Sequence, residues 1–185
     1  AASDVYKRQQ IDNIKNLANS FSNFARMNKP KFEKINIKDL ILESINLYKP
    51  NYKYINFIFE DLSDSKNIVC DYSQINRVLI NIIKNSIESI EEKNLQSSKK
   101  QGEIIIKLND TGENFQIFVI DNGVGFKDNK LSNETNPYYT TKKNGSGLGL
   151  SIVSKILHEH NGYISINNAF NDSGANISIV LPKKQ

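Results

Sequence analysis

Five of the nine glycines in this chain lie between residues 123 and 149. Glycine serves where the backbone takes conformations closed to other residues or approaches a partner closely. The special backbone is therefore concentrated in one stretch. One group, Asp121-Asn122-Gly123-Val124-Gly125, directly follows the run FQIFVI at 115–120. The other, Gly145-Ser146-Gly147-Leu148-Gly149-Leu150, directly precedes a helical pattern over 148–160. Between them a polar loop of about 20 residues, 126–146, is too long to be a plain connector. Such a chain brings the end of a strand and the start of a helix to the two sides of one long loop.

The remaining pattern supplies both layers that this arrangement needs. Residues 9–28 read as a helix, with Ile11, Ile14, Ala18, Phe21 and Ala25 at heptad spacing and Leu17 and Phe24 widening the stripe. Pro30 ends it, and the first eight residues look unlike the rest. Ile37, Leu40, Ile41, Ser44 and Ile45 mark a second helix that stops at Pro50. Strands are expected at 54–60 and 67–70. Asp71 then caps a strong helix carrying Ile75, Val78, Leu79, Ile82, Ile83 and Ile90, with Gln74 placed for a capping box. Polar residues 93–102 read as a loop. Strands follow at 103–109 and 115–120 around a turn at Gly112, and at 163–167 and 176–181 around a turn at Gly174. Gly162 is the expected C′ residue of the 148–160 helix. Helices and antiparallel-type strands are intermixed. That order predicts an α+β fold, a two-layer α/β sandwich with helices on one face of a mixed, mostly antiparallel sheet, preceded by one long bundle helix.

Composition narrows the function classes. At about 150 residues per domain, 185 residues make one domain plus a remainder. Apolar residues are 38% and charged residues 24%, an ordinary globular balance. No apolar run approaches the ~20 residues of a spanning helix. The single Cys70 excludes a disulfide framework and a cysteine-based zinc site. Two histidines, His158 and His160, are few for a metalloenzyme and read as surface or helix-end residues favoured by the helix dipole. The net charge of +4 comes from scattered lysines, with only 3 Arg. That describes a lysine-rich surface and not a nucleic-acid-binding face.

Three constellations carry chemistry. A carboxylate at a strand end followed by glycines, as at Asp121, suits recognition of a base amino group, because it accepts a hydrogen bond where a ligand can reach the backbone. A plain Asp-Asn-Gly turn fits the same residues. The glycines at 145, 147 and 149 before a helix expose N–H groups to an anion. They match neither a Walker A loop nor a dinucleotide fingerprint, and a flexible linker fits them too. On the helix after Asp71, Asn81, Asn85 and Glu88 share one face at i, i+4 and i+7. Amides inside an isoleucine-rich helix are costly unless paired, whether with ligand or with backbone. The Asn85 amide oxygen is a fair hard-metal ligand for Mg²⁺.

In this order the three resemble the ATP-binding domain shared by histidine kinases, gyrase, Hsp90 and MutL, the GHKL superfamily. DYSQINRVLINIIKNSIESI resembles the N box of a histidine kinase. VIDNGVGF is similar to the G1 box, NPYYTTK to the F box, GSGLGLSIV to the G2 box and GANISIVLP to the last strand. The run IDNIKNLANSFSNFARMNKPK resembles the second helix of the dimerisation hairpin in nitrogen-regulation kinases of the NtrY/NtrB kind. The resemblance implies a remnant of that hairpin at 1–30 and a catalytic ATP-binding domain at 31–185. It implies ATP and Mg²⁺ as ligands, with Asp121 on the adenine amine, Asn85 on Mg²⁺ and Asn81 helping to place metal or phosphates. Gly123 and Gly125 would floor the adenine pocket. Gly145, Gly147 and Gly149, with Ser146 and Leu148 between them, would border a lid and offer N–H groups to phosphate. Lys84, Thr141 and Lys142 are further phosphate contacts, and Lys84 and Asn81 the catalytic candidates. Tyr138 and Tyr139 stand where the family usually has phenylalanines, and Ala175 where many relatives have threonine near adenine. The implied function is phosphoryl transfer from Mg-ATP to a histidine carried by a phosphoacceptor helix outside this sequence, so that the fragment alone would not autophosphorylate. The implied partners are that helix, a response regulator and a second copy in the full-length protein. The implied location is the cytoplasmic side of a membrane-anchored bacterial sensor. A GHKL ATPase or serine kinase would want a glutamate base where Asn81 stands. A nucleotide-binding pseudokinase module would keep the binding residues alone.

Overall fold

A computed structural model of the chain describes residues 28–95, 101–126, 148–169 and 174–184, together with Ile11 and Lys15, which are helical. The rest of the helix expected before Asn28, and the expected loop beyond Phe126, lie outside the described residues. The elements follow in the order β1 (Glu33–Asn36), α1 (Ile37–Tyr48), β2 (Ile55–Leu62), β3 (Asn67–Cys70), α2 (Tyr72–Leu95), β4 (Gly102–Asp110), β5 (Asn114–Asp121), α3 (Gly149–Glu159), β6 (Tyr163–Asn168) and β7 (Ala175–Pro182).

Five strands form one mixed sheet in the order β2-β4-β5-β7-β6. Its pairs are antiparallel except β2 with β4, which run parallel from Ile55 opposite Gly102 to Leu62 opposite Asn109. Parallel neighbours need a crossover, and α2 lies in that connection. Alternation puts Ile104, Ile106 and Leu108 of β4, Phe115, Ile117 and Val119 of β5, and Ile177, Ile179 and Leu181 of β7 on one buried face. The register stacks them in rows, Ile106 opposite Val119 and Val119 opposite Ile177. Against that face lie the apolar stripes of α1 (Ile37, Leu40, Ile41, Ile45), α2 (Ile75, Val78, Leu79, Ile82, Ile83, Ile87, Ile90) and α3 (Ile152, Val153, Ile156, Leu157), in one continuous core. Each such side chain contributes about 1.5–3 kcal/mol by leaving water. The opposite face is more polar; there Lys107 pairs with Glu60 across β4 and β2 at 2.8 Å. The two-layer sandwich with helices on one face stands as expected.

The local differences have physical causes. β1 was not expected: EKIN has no clear alternation and forms a strand because β3 gives it a partner, Glu33 opposite Cys70 through Asn36 opposite Asn67. Asn36 then ends β1 and caps α1, its Oδ1 accepting from Lys38 N at 3.1 Å. The expected 93–102 loop is shorter at both ends, since α2 continues to Leu95 and β4 begins at Gly102. The last turn of α2 is polar yet fastened, Lys93 Nζ donating to Asn122 O at 2.6 Å. The expected capping box at Asp71 is only half formed. Gln74 N donates to Asp71 Oδ1 at 3.0 Å, but the Gln74 amide turns away to Asn28 O. At the end of α3 the residue in left-handed backbone is Asn161, φ 53°, and not Gly162. Asn161 N bonds to His158 O and Gly162 N to Leu157 O, a Schellman closure with Asn161 at C′. Gly162 is required for space instead, because a Cβ there would stand 2.3 Å from Val180 O.

Candidate functional site

Three element ends converge along one side of α2. Asn81, Asn85 and Ser89 follow one another at i+4 spacing, about 6 Å per step. The first two meet the start of α3. A Cβ built on Gly149 would lie 3.8 Å from Asn81 Oδ1 and 3.9 Å from Asn85 Nδ2. Asn81 donates Nδ2 to Arg77 O at 2.9 Å, which leaves its oxygen on the Gly149 side. Ser89 meets the turn after β5. Val124 N donates to Ser89 Oγ at 3.0 Å and to Ser89 O at 3.3 Å, and a Cβ on Gly123 would fall 2.2 Å from Ser89 Oγ. The turn thus rests on the helix backbone, which only glycine at 123 permits.

Asp121 ends β5 inside this corner and is 4% exposed. Its Oδ1 accepts from Gly123 N at 2.9 Å and from Ala175 N at 3.2 Å. The carboxylate is therefore fixed between its own turn and the first residue of β7. Ala175 contributes this second donor through its backbone N–H. Gly174 closes the corner at φ +83°, and a Cβ there would stand 1.9 Å from Asp121 O. Gly125 adopts φ +69° and faces Gly174 O, where a Cβ would come within 2.7 Å. Asn168 holds the next residue on both sides, its Oδ1 accepting from Phe126 N at 2.7 Å and its Nδ2 donating to Phe126 O at 3.0 Å. Asn122 points the other way, Oδ1 accepting from Glu103 N at 2.9 Å.

The structure thus gathers Asn81, Asn85, Asp121, Gly123, Gly125, Leu148 and Gly149 around α2. Lys84 is exposed on the same helix, its Nζ 3.8 Å from Glu88 Oε1. Tyr138, Tyr139, Thr141, Lys142, Gly145, Ser146 and Gly147 lie outside the described residues. Sequence reasoning missed Ser89 and Asn168. Ser89 continues the Asn81/Asn85 face and was legible from that periodicity, whereas Asn168, at a strand end, carried no signal. His160 is a helix-end residue, the C-cap of α3, but not a surface one: it is 0% exposed, with both ring nitrogens engaged inside the fold. Cys70 is buried, as a packing residue should be.

The donor set suits a magnesium nucleotide. Among the described residues no cluster of three or more His, Cys, Asp or Glu could hold a metal alone. Neutral amides at 81 and 85 match a hard cation that takes few protein ligands and fills its shell with water and phosphate oxygens, and the helix N-terminus beside them suits the phosphate oxygens. The glycines at 125 and 174 leave backbone next to Asp121 where side chains would otherwise stand.

A corner of this kind, with a buried strand-end carboxylate, a glycine turn seated on a helix and an amide-bearing helix facing a second helix start, defines an ATP-binding domain. The chain belongs to the family of histidine kinase-, DNA gyrase B- and HSP90-like ATPases, whose pattern matches residues 70–185. It is similar to a Rickettsia prowazekii protein named sensor histidine kinase NtrY-like, 35% identical over 177 residues that cover 96% of this chain and 28% of that protein. The chain thus spans little more than a quarter of that relative's length. Among solved structures, a nucleotide-free catalytic domain of histidine kinase ThkA matches with TM-score 0.70 and 30% identity, over 83% of this chain and 97% of that one. Histidine kinase ThkA solved with the response regulator TrrA shares the fold, with TM-score 0.77 and 24% identity over 95% of this chain and 49% of that one. Among the described residues, no helix is long and apolar enough to cross a membrane.

Proposed function

We propose that the chain is the catalytic ATP-binding part of a two-component sensor histidine kinase, with residues 31–185 as that domain and 1–30 belonging to a dimerisation hairpin. The observation that carries the reading is the convergence of Asn81, Asn85, Asp121 and the start of α3 on one side of α2. Asp121 accepts from the adenine amine while its Oδ1 stays held by two backbone donors. Gly123 and Gly125 form the floor beneath the base. Asn85 holds Mg²⁺, Asn81 orients metal or phosphate, and the first N–H groups of α3 face the phosphates. Gly145, Ser146, Gly147, Thr141 and Lys142 join them by resemblance, and Lys84 approaches from the exposed side. Bound Mg²⁺ neutralises charge on the transferring phosphoryl group; the chain's own work is to bind, orient and exclude water. The acceptor is neither His158 nor His160, and a hairpin helix supplies it. A response regulator receives the phosphoryl group in turn, and the full-length protein is a dimer with this domain on the cytoplasmic side.

The test is calorimetric titration with ATP and GTP, with and without Mg²⁺, on the chain and on Asn85→Ala. ATP should bind and GTP should not, because guanine presents a carbonyl where Asp121 needs a donor. Asn85→Ala should lose on the order of 1–3 kcal/mol of the Mg²⁺-dependent part. Equal binding of GTP, or unchanged magnesium dependence in the variant, would refute these roles.

A further inference from the structure

α3 starts at the candidate site and runs to its C-cap, His160, about 16 Å away at 1.5 Å per residue. There it meets the beginning of α2. His160 is fully buried, its Nδ1 lies 2.8 Å from Ile156 O, and its Nε2 lies 3.0 Å from Asp71 N. A carbonyl only accepts and an amide N–H only donates, so the ring is neutral with its proton on Nδ1. Asp71 is the residue that caps α2, and its N–H is the donor a capping-box glutamine would satisfy. Here Gln74 bonds to Asn28 O instead, and the histidine from the end of α3 takes its place. The Asp71 carboxylate accepts from Gln74 N and from Lys31 N at 2.8 Å, and Phe32 stands edge-on to the His160 ring at 5.2 Å. One buried imidazole thus joins the end of α3, the start of α2 and the strand of chain entering the domain.

We infer that His160 is a positioning residue for the nucleotide site: it sets the axial register of α3 against α2, and so the separation of the first N–H groups of α3 from Asn81 and Asn85. This rests on the reading above that phosphates lie between those groups. Apart from Asn81 and Asn85 beside Gly149, both helices put Ile, Val and Leu side chains into the shared core, and apolar attraction has no direction. A hydrogen bond has one, and α3 carries its position at His160 rigidly to Gly149. A misplacement of about 1 Å at a phosphate-binding edge is costly in function.

Two conservative variants separate this role from packing. In His160→Gln the amide oxygen reaches the Nε2 position and still accepts from Asp71 N. In His160→Asn the shorter amide reaches only the Nδ1 position, and Asp71 N loses its acceptor. Calorimetry with a non-hydrolysable ATP analogue, on samples shown folded by circular dichroism, should give His160→Gln within about twofold of the unaltered chain. His160→Asn should bind about tenfold more weakly. Coupling is reciprocal, so the same analogue should slow hydrogen exchange at the Asp71 amide of the unaltered chain. This second measurement decides if His160→Asn does not fold. Full affinity in His160→Asn, or an Asp71 amide indifferent to nucleotide, overturns the role. No binding by the unaltered chain removes the nucleotide site itself and the role with it. Binding by the unaltered chain with full affinity in His160→Asn removes the role alone.

Discussion

Gly174→Ala and Gly112→Ala are the same chemical change at two turns, and the structure separates them. Both glycines sit at positive φ, +83° and +88°. An L-residue there costs roughly 1–2 kcal/mol. Around Gly112 nothing lies within 4 Å of an added Cβ, and its N–H bond to Asp110 Oδ1, 2.8 Å, survives the change. Around Gly174 the added carbon would lie 1.9 Å from Asp121 O. A carbon–oxygen contact needs about 3.3 Å, so the two backbones must part by roughly 1.4 Å. That separation breaks the Ala175 N bond to the Asp121 carboxylate, worth about 1.5–3 kcal/mol as a charged pair, and strains the Ala169 N bond to Gly174 O, worth about 1 kcal/mol. Gly174→Ala should therefore lose about 3–6 kcal/mol and Gly112→Ala about 1–2 kcal/mol, against a total of about 5–15 kcal/mol for a domain. Urea denaturation of both variants, followed by circular dichroism, measures the difference. Adenine-nucleotide affinity should fall in Gly174→Ala and hold in Gly112→Ala. Equal destabilisation of the two would show that positive φ alone matters, and that the close approach to Asp121 does not.

Burial, and then the charges of Asp71 and Glu33, push the Cys70 thiol up to about 12. Iodoacetamide at pH 8 should label it only through unfolding, and labelling at the rate of a free cysteine in the native protein would contradict its burial. Ser63 first, and then Lys38, hold the Asp61 carboxyl down to about 2, below its ordinary 3.8. Lys183 first, with Gly112 and Ser65, holds Asp110 well below that range. A folded-state value below the unfolded one stabilises above about pH 4 and is lost as pH falls through the folded value. Urea midpoints of the unaltered chain should thus drop between pH 4 and 2, and those of Asp61→Asn should drop less; parallel curves would contradict the assignment. Asn168→Ala removes both partners of the Phe126 backbone and should cost about 1–2 kcal/mol in the same assay. No change would mean that water replaces them.

Much of the fold was legible because it is periodic. Isoleucines at helical spacing located α1 and α2, bounding glycines located α3, and strand-forming runs around turn glycines located β4, β5 and β7. The same periodicity put Asn81 and Asn85 on one face, and the glycine pattern marked Asp121 and Gly149. The misreadings share a cause. β1 exists through its pairing with β3, the Asp71 cap is completed from α3, and Asn161 rather than Gly162 takes the left-handed turn. In each case a partner distant in sequence, or a neighbour occupying space, outweighed the local preference.

The sequence by itself determined which residue types stand at each element end: a carboxylate after β5, glycines where backbone must come close, and amides on an apolar helix. Local propensity and spacing carry that information, because helix and strand periods are short-range. Tertiary structure alone decided what those ends touch. It seated the Asp121 turn on Ser89, brought Gly174 against the Asp121 carbonyl, and buried His160 against Asp71, the cap residue of α2 that stands 89 residues earlier. Those contacts depend on how the sheet order and the packing of α2 against α3 bring distant segments together. No local pattern encodes that distance, since the free energy that sets it comes from burying one core shared by every element.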